Sequence, residues 1–492
     1  MTDLLPIPNL MALGLILLLK DMAMMTNRPL LLLALVLCLP AAAQAQGTVI
    51  GPPASAEELT ARLNQLQAET EALRGEVQWL REHPVRLPGV EAPLSTAPAD
   101  SPASPPQPAA QPEYFTMDEL RGEMKKYAWR KGDFTITPYG WLWGNAVYAT
   151  ERTTPGSYTL FVQSASTGPE SEFIVDARNT RLGLDVLGPQ VPFFNCAQGG
   201  GKVEVDFQNS VLSTENKATL MLRHAYAEVK NEEFRFLVGQ TWDVVSPLLP
   251  GMLMYSVGWD AGNIGYRRAQ VRGERYLAFS DTSLVTTQLS INQTVFPDGT
   301  TVIRGETPNW PIVEGRVAWT VGHRGKDCLP ITVGASGHIG ETEFTDTIIG
   351  PDQRRRTWSG NLDVRVPLTH RLGIQAECYM GENLAAFLGG IGQGIDPTTR
   401  EEIRDVGGWI ELWYDWTPCL HSHVGYSLDD PNNNDLATVG EKSYNQFYYG
   451  NVIYDLTKNF LVGVEVSSWK TNYIGQLPGD SVRCEFVAKY GF

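Results

Sequence analysis

The last eleven residues constrain the fold most. From Val482 to Phe492 every second side chain is apolar, while Arg483, Glu485 and Lys489 fall on the opposite phase. A period of two describes a strand with one apolar and one polar face. An extended segment that ends on an aromatic, with Tyr490 two residues before Phe492, fits a transmembrane barrel strand, which turns apolar groups to lipid, polar groups to a lumen and aromatics to the interface. On this segment alone the alternative is an amphipathic edge strand of a soluble sandwich.

The N-terminal region supplies a matching export pattern. Leu30 to Leu39 is an apolar run too short to span a bilayer, preceded by Asn27-Arg28 and followed by Ala43-Gln44-Ala45, a small-x-small site. Residues 1–45 therefore read as a signal peptide. A second apolar run, Leu10 to Leu19, precedes it, so Met24 and Met25 are alternative starts. After the signal no run of apolar residues is long enough for a transmembrane helix.

Residues 55–83 carry a heptad pattern, with Leu59, Leu66, Leu73 and Leu80 at d, Leu63, Thr70 and Val77 at a, and a Ser55-x-x-Glu58 capping box. The pattern predicts a coiled coil whose strand number stays open, or a lone amphipathic helix on a surface. Residues 84–112 hold nine prolines among Ala and Ser, the composition of an extended spacer. A short helix is expected over 116–127, with Thr116 and Glu119 as its capping box, before the β region opens at 133.

From 133 to 492 about sixteen alternating segments follow. Their connections sort by parity: Asn231 to Glu233, Ser280 to Thr282, His323 to Cys328, Pro367 to His370, Thr417 to Cys419 and Leu456 to Lys458 are tight. Between them lie longer stretches, Asp243 to Asn263, Thr294 to Trp310, Glu343 to Arg356, Asn383 to Asp405, Asp429 to Ser443 and Lys470 to Asp480. Short turns at one end and loops at the other are the plan of an antiparallel transmembrane β-barrel. The expected fold class is all-β, a barrel of about 16 strands preceded by the coiled coil and linker.

The pleat assigns the inner phase. Asn361, Asp363 and Arg365 oppose Leu362 and Val364, and Arg268, Gln270, Arg272 and Glu274 share one face. A polar inner phase implies water inside. The candidate pore-lining residues are Arg181, Lys202, Arg223, Arg268, Arg272 and Arg316 in the first half, and Glu377, Glu411 and Asp415, with Asp429 and Glu465, in the second. That segregation predicts a transverse field across the lumen. Local pairing of Arg268 and Arg272 with Glu274 and its neighbours is the plainer expectation. Asp243 to Asn263, the third outer loop counted from the start of the barrel, contains Ser246, Pro247, Pro250, Met252 and Tyr255 in a run too apolar for water, which predicts a constriction loop folded into the mouth, or a loop packed at a subunit interface.

Other functions find less support. The net charge of −16 excludes a general nucleic-acid binder. None of the seven histidines accompanies a nucleophile motif, so no catalytic residues, no metal and no cofactor are expected. His421-Ser422-His423 lacks further ligands at metal spacing, and the acidic stretch from Asp429 to Asp435 reads as a solvated turn before it reads as a calcium loop. The five cysteines after the signal, Cys196, Cys328, Cys378, Cys419 and Cys484, are scattered and do not describe a disulfide framework.

Several segments together, in this order, carry a resemblance: Asp176-Ala177-Arg178-Asn179-Thr180-Arg181-Leu182-Gly183, Arg223-His224-Ala225-Tyr226, Gly239-Gln240-Thr241-Trp242, Arg267-Arg268-Ala269-Gln270-Val271-Arg272 and the terminal Phe492. From Asp133 to Phe492 the chain resembles the DcaP-like outer-membrane porins, and the coiled coil matches that family's plan. The resemblance implies a homotrimer of sixteen-stranded barrels in outer-membrane lipid, an inward third loop and a periplasmic coiled coil. It also implies passive uptake of small, often anionic solutes such as dicarboxylates. Arg181, Arg223, Arg268 and Arg272 match the family's lumen arginines, and Tyr490 with Phe492 resembles the membrane-insertion signal read by the barrel-assembly machinery. The proline linker, the Arg354-Arg355-Arg356 run and the acidic second half depart from the family's pattern. A structural barrel tethering the envelope through its coiled coil is the rival reading.

Overall fold

The computed structural model describes residues 129–492 apart from 169, 209–218, 295–309, 325–327 and 347–349. The chain divides into two units, Met1–Glu113 and Tyr114–Phe492, and every described residue lies in the second. The expected signal peptide, coiled coil, linker and short helix lie outside the described residues.

Backbone N–H and C=O groups facing hydrocarbon must all be paired within the protein, so a strand-built membrane domain has to close on itself. This one does. The strands are β1 (Phe134–Ala149), β2 (Glu172–Asp176 and Arg181–Val191), β3 (Ala197–Asp206), β4 (Met221–Lys230), β5 (Phe234–Trp242), β6 (Arg267–Ser280), β7 (Ser283–Asn292) and β8 (Ile312–Val321). They continue as β9 (Ile331–Asp346), β10 (Gly350–Pro367), β11 (Leu372–Glu382), β12 (Arg404–Thr417), β13 (Leu420–Pro431), β14 (Lys442–Thr457), β15 (Phe460–Tyr473) and β16 (Gly479–Gly491). Each pairs antiparallel with the next, and β16 returns to β1, with Arg483 to Gly491 opposite Ala149 to Trp141. The Phe492 N–H donates to the Gly140 carbonyl (3.0 Å) and the Gly140 N–H to Phe492 (3.1 Å), so the terminal residue completes the seam.

Eighteen segments are hydrogen-bonded in the sheet, but they make sixteen barrel strands. Trp129–Lys131 only folds back on the start of β1. The two parts of β2 pair with successive stretches of β1, and in the gap between them Thr180 Oγ1 accepts the Trp143 N–H at 3.1 Å.

The alternation read from the sequence is the alternation of exposure. On β10 Leu362 is 59% exposed while Asn361 and Asp363 beside it are buried; on β6 Val271 is exposed and Gln270 and Arg272 are buried. Apolar side chains therefore form the outer face and polar ones the inner.

Two expected loops are strand instead. Glu343 to Arg356 falls within β9 and β10, which leaves a link of 347–349, and β15 and β16 extend until only 474–478 connects them. The charges of the Arg354-Arg355-Arg356 run suggest a loop, yet the register sets Arg356 opposite Glu341 and Arg354 opposite Glu343. Unlike charges directly across a ladder stabilise strand. With the links 347–349 and 474–478 counted as L5 and L8, the strand ends joined by L1 (150–171), L2 (207–220), L3 (243–266), L4 (293–311), L6 (383–403) and L7 (432–441) lie at the same end of the barrel.

Candidate functional site: the lumen and its loops

L3 begins and ends on a single acidic residue. Asp243 exchanges backbone hydrogen bonds with Tyr266, donating to its carbonyl at 2.8 Å and accepting its N–H on Oδ2 at 2.8 Å. Arg268, with no exposed surface, donates from Nε and Nη2 to the same carboxylate at 2.7 and 2.9 Å.

From that root the loop runs along the inner wall, and the wall's carboxylates hold it. The Val244 N–H donates to Glu314 on β8 (2.9 Å) and the Leu248 N–H to Glu377 on β11 (2.7 Å). The Gly251 N–H donates to Glu411 on β12, and the Leu253 N–H to Glu465 on β15 (2.8 Å). Gln375 and Asn451 donate to the Leu249 and Gly251 carbonyls at 3.0 and 2.8 Å. Hydrogen bonds to a buried carboxylate are roughly twice as strong as neutral ones, and they satisfy loop groups that water no longer reaches.

The loop then crosses to the opposite wall. The Tyr255 hydroxyl donates to Asp206 at 3.0 Å and accepts from Arg223 at 3.2 Å. Met254 and Ala261 pack with Phe447, Tyr449 and Trp469 of β14 and β15, and with Val162 of L1. Gly262 (φ 112°) is required at its position, because a Cβ there would come within 2.5 Å of the carbonyls of Gly408 and Leu428. Of the residues expected to constrict, Ser246 and Pro250 are buried, Met252 and Tyr255 half-buried, and Pro247 exposed; Leu249 beside them is exposed too.

The basic candidates pair locally. Arg223 reaches Glu204 (2.9 Å) and Asp206 (2.7 Å), and Arg181 lies 3.4 Å from Glu204 and over the Trp141 ring. Lys202 pairs with Asp185 (3.1 Å) and Arg316 with Asp363 (2.6 Å). Arg272 lies 3.6 Å from Glu274 and donates to the Trp242 carbonyl (3.1 Å). Opposed walls of free charge are therefore not what the fold builds: acids accompany the arginines, and the acidic half is occupied by loop N–H groups. Asp415 stands apart near a turn, 2.7 Å from His421, which also reaches Asp455. At the seam Tyr490 and Phe492 are each half exposed, with Tyr490 edge-on to Phe460.

Two features escaped the sequence reading. Arg267 is buried, its guanidinium centred 4.6 Å from the Trp242 ring and 4.7 Å from Tyr266, a cation–π contact beside the L3 root. L6 also folds inward. Leu384 to Phe387 are buried, and Leu384, Ala386 and Phe387 cluster with Val245 and Ile264 of L3, Ile312 of β8 and Tyr379 of β11. The signal was present: Leu384-Ala385-Ala386-Phe387-Leu388-Gly389-Gly390-Ile391 is as unsuited to water as the L3 run. Burial also pushes Asp260 of L3 up to about 7 against the opposing charge of Lys442.

A cavity of about 170 Å³ lies between the L3 root and the wall. Val244, Val245, Pro247, Leu249 and Ile264 line its apolar side, and Arg272 and Gln288 contribute polar groups.

Neither a family model nor a curated protein matches the chain. A solved structure does: the outer membrane channel DcaP of Acinetobacter baumannii is 21% identical, with a TM-score of 0.57 over 74% of this chain and 99% of that one. This chain has the DcaP channel's fold. The resemblance read from the sequence motifs is thus matched in three dimensions. The anion-selective porin from Comamonas acidovorans, at 11% identity and a TM-score of 0.48, and OmpT of Vibrio cholerae, at 12% and 0.46, are more distant.

Proposed function

We propose that the chain is an outer-membrane porin, a water-filled channel for passive diffusion of small polar or charged solutes. The observation that carries this reading is the closed sixteen-strand barrel with an apolar outer face, a polar inner face and a long loop bound along the inner wall. Such a wall satisfies its polar groups only against water, loops or solute.

Small anions, dicarboxylates among them, are the proposed preferred class. Arg272 lines the cavity at the L3 root with its Nε bonded to no described residue, and the apolar L3 face opposite suits a compact carbon skeleton. The preference is a modest one, because the lumen arginines are accompanied by carboxylates, Arg272 itself by Glu274 at 3.6 Å. The working assembly is proposed to be a homotrimer in the outer membrane of a Gram-negative-type bacterium, delivered by the barrel-assembly machinery, with residues 55–83 in the periplasm. No enzymatic step is proposed.

The test is single-channel recording in a planar bilayer under a salt gradient. Wild-type protein is expected to insert in triple steps with anion preference, and Arg272→Ala to move the reversal potential toward cations. A folded barrel that never conducts would instead favour a structural tether.

A further inference from the structure

L3 is not the only loop that fills the lumen. We propose that L6 is a second constriction element, that it narrows the channel jointly with L3, and that Arg268 is the positioning residue that holds the two loops in register. The inference rests on the porin reading and goes beyond it.

Backbone bonds join the loops directly. The Asp260 N–H of L3 donates to the Leu388 carbonyl of L6 (2.8 Å), and the Gly265 N–H to the Phe387 carbonyl (2.8 Å). Arg268 binds both: its guanidinium holds Asp243 at the L3 root and donates to the Ala386 carbonyl of L6 at 3.1 Å. Phe387 is the pin. Its ring, with no exposed surface, lies between the Arg268 guanidinium at 3.9 Å and the His338 ring of β9 at 3.8 Å. His338 is fixed in turn by Ser359 (2.7 Å) and Thr357 (2.9 Å) on β10.

The far side of L6 is tied to the wall. Asp405 accepts the Gly390 N–H (2.9 Å), Asp429 the Ile391 N–H (3.3 Å), and Gln393 exchanges bonds with the Lys442 backbone at 2.7 and 2.8 Å. Leu388 (φ 59°) and Ile391 (φ 53°) hold left-handed backbone, a conformation costly for branched side chains that persists where surroundings over-determine it. The conformation is maintained while Leu384 to Phe387 are driven into the barrel instead of out to solvent. An arginine with no water contact cannot select an ion by touching it. It acts through the loops it holds, so its loss should alter the width of the passage and not its charge preference.

The experiment is single-channel conductance and sugar-size cut-off, in liposome swelling, for three variants: residues 385–392 replaced by two glycines, Phe387→Ala, and the charge-balanced pair Arg268→Ala with Asp243→Asn. Heat-modifiable mobility on electrophoresis identifies those that fold, and each folded variant is read independently. The shortened loop is expected to raise conductance severalfold and admit larger sugars. Phe387→Ala and the charge-balanced pair should raise both less, with the reversal potential unmoved in all three. Wild-type conductance and cut-off in the loop-shortened channel, or in Phe387→Ala should that channel not fold, would overturn the second constriction. A reversal-potential shift in the charge-balanced pair, or wild-type conductance from it, would overturn the positioning role of Arg268. If wild-type protein itself fails to conduct, the porin reading falls instead.

Discussion

The walls formed by β4 to β6 and by β11 to β15 place carboxylates at the same inward phase and use them differently. On the first, Glu228 and Glu274 face Arg235 at 2.6 and 3.4 Å, a wall paired with itself. On the second, Glu377, Glu411 and Glu465 accept backbone N–H groups of L3. A carboxylate's role in this lumen is set by which partner its strand meets, and the difference separates barrel stability from barrel width.

The sharpest way to break that distinction is Glu411→Ala. Glu411 is buried and accepts from Tyr449 (2.5 Å), His423 (2.9 Å), Gln375 (3.1 Å) and the Gly251 N–H. Its removal leaves several donors without partners, a loss of about 3–5 kcal/mol by the usual cost of breaking a buried ionic network. The unfolding midpoint in urea should fall, and L3, released at its middle, should give a noisier and larger conductance. Arg235→Gln is the paired control on the self-paired wall. Arg235 is more exposed, and its two carboxylates keep other cationic partners, Lys230 at 2.7 Å from Glu228 and Arg272 at 3.6 Å from Glu274, so its loss should cost less than that of Glu411. Conductance should hold while the loss of one positive charge beside Glu228 and Glu274 moves the reversal potential toward cations. If Arg235→Gln widens the channel, or Glu411→Ala changes only its ion preference, the two walls do not differ as described.

The same contrast marks what the sequence made legible. Phase was readable because a pleat leaves no freedom: Asn361, Asp363 and Arg365 had to share a face once Leu362 and Val364 were assigned to the other. Closure followed from the terminal strand, and L3 from an apolar run that water would not hold. Partners were not readable. The pleat turned Arg268 inward but did not say what it would meet there: Asp243 is 25 residues away at the L3 root, and Ala386, on a different loop, is 118 residues away. The Arg354 to Arg356 run misled for a related reason, since charge alone suggests a loop until Glu341 and Glu343 are known to lie across the ladder. The inward fold of L6 was within reach of the argument applied to L3.

The smallest expected effect lies where L6 meets L7, outside the spanning strands. Asp396, with no exposed surface, accepts the N–H groups of Thr398 (2.8 Å), Thr399 (2.5 Å) and Ala437 (2.7 Å). Burial alone would raise its pKa, but these bonds hold it below the usual carboxylate range. Glu441, which accepts the Thr438 N–H at 2.9 Å, is pushed up to about 7, first by burial and then by its hydrogen bond with Asp396 and that residue's charge. An unfolded glutamate ionises near 4.5. Between these values the folded loops keep a proton that the unfolded chain has lost, so stability falls as pH rises across the window and the full penalty is present above it. Asp396 has the opposite sign, contributing above its ordinary range and losing that contribution only in strong acid. The L6 to L7 contact should therefore be tighter at pH 5 than at pH 8, with amide exchange at Ala437 and Thr438 faster at the higher value after correction for intrinsic rates. Glu441→Gln carries no such proton and should flatten the profile. An unchanged pH profile in that variant would assign the effect to a group other than Glu441.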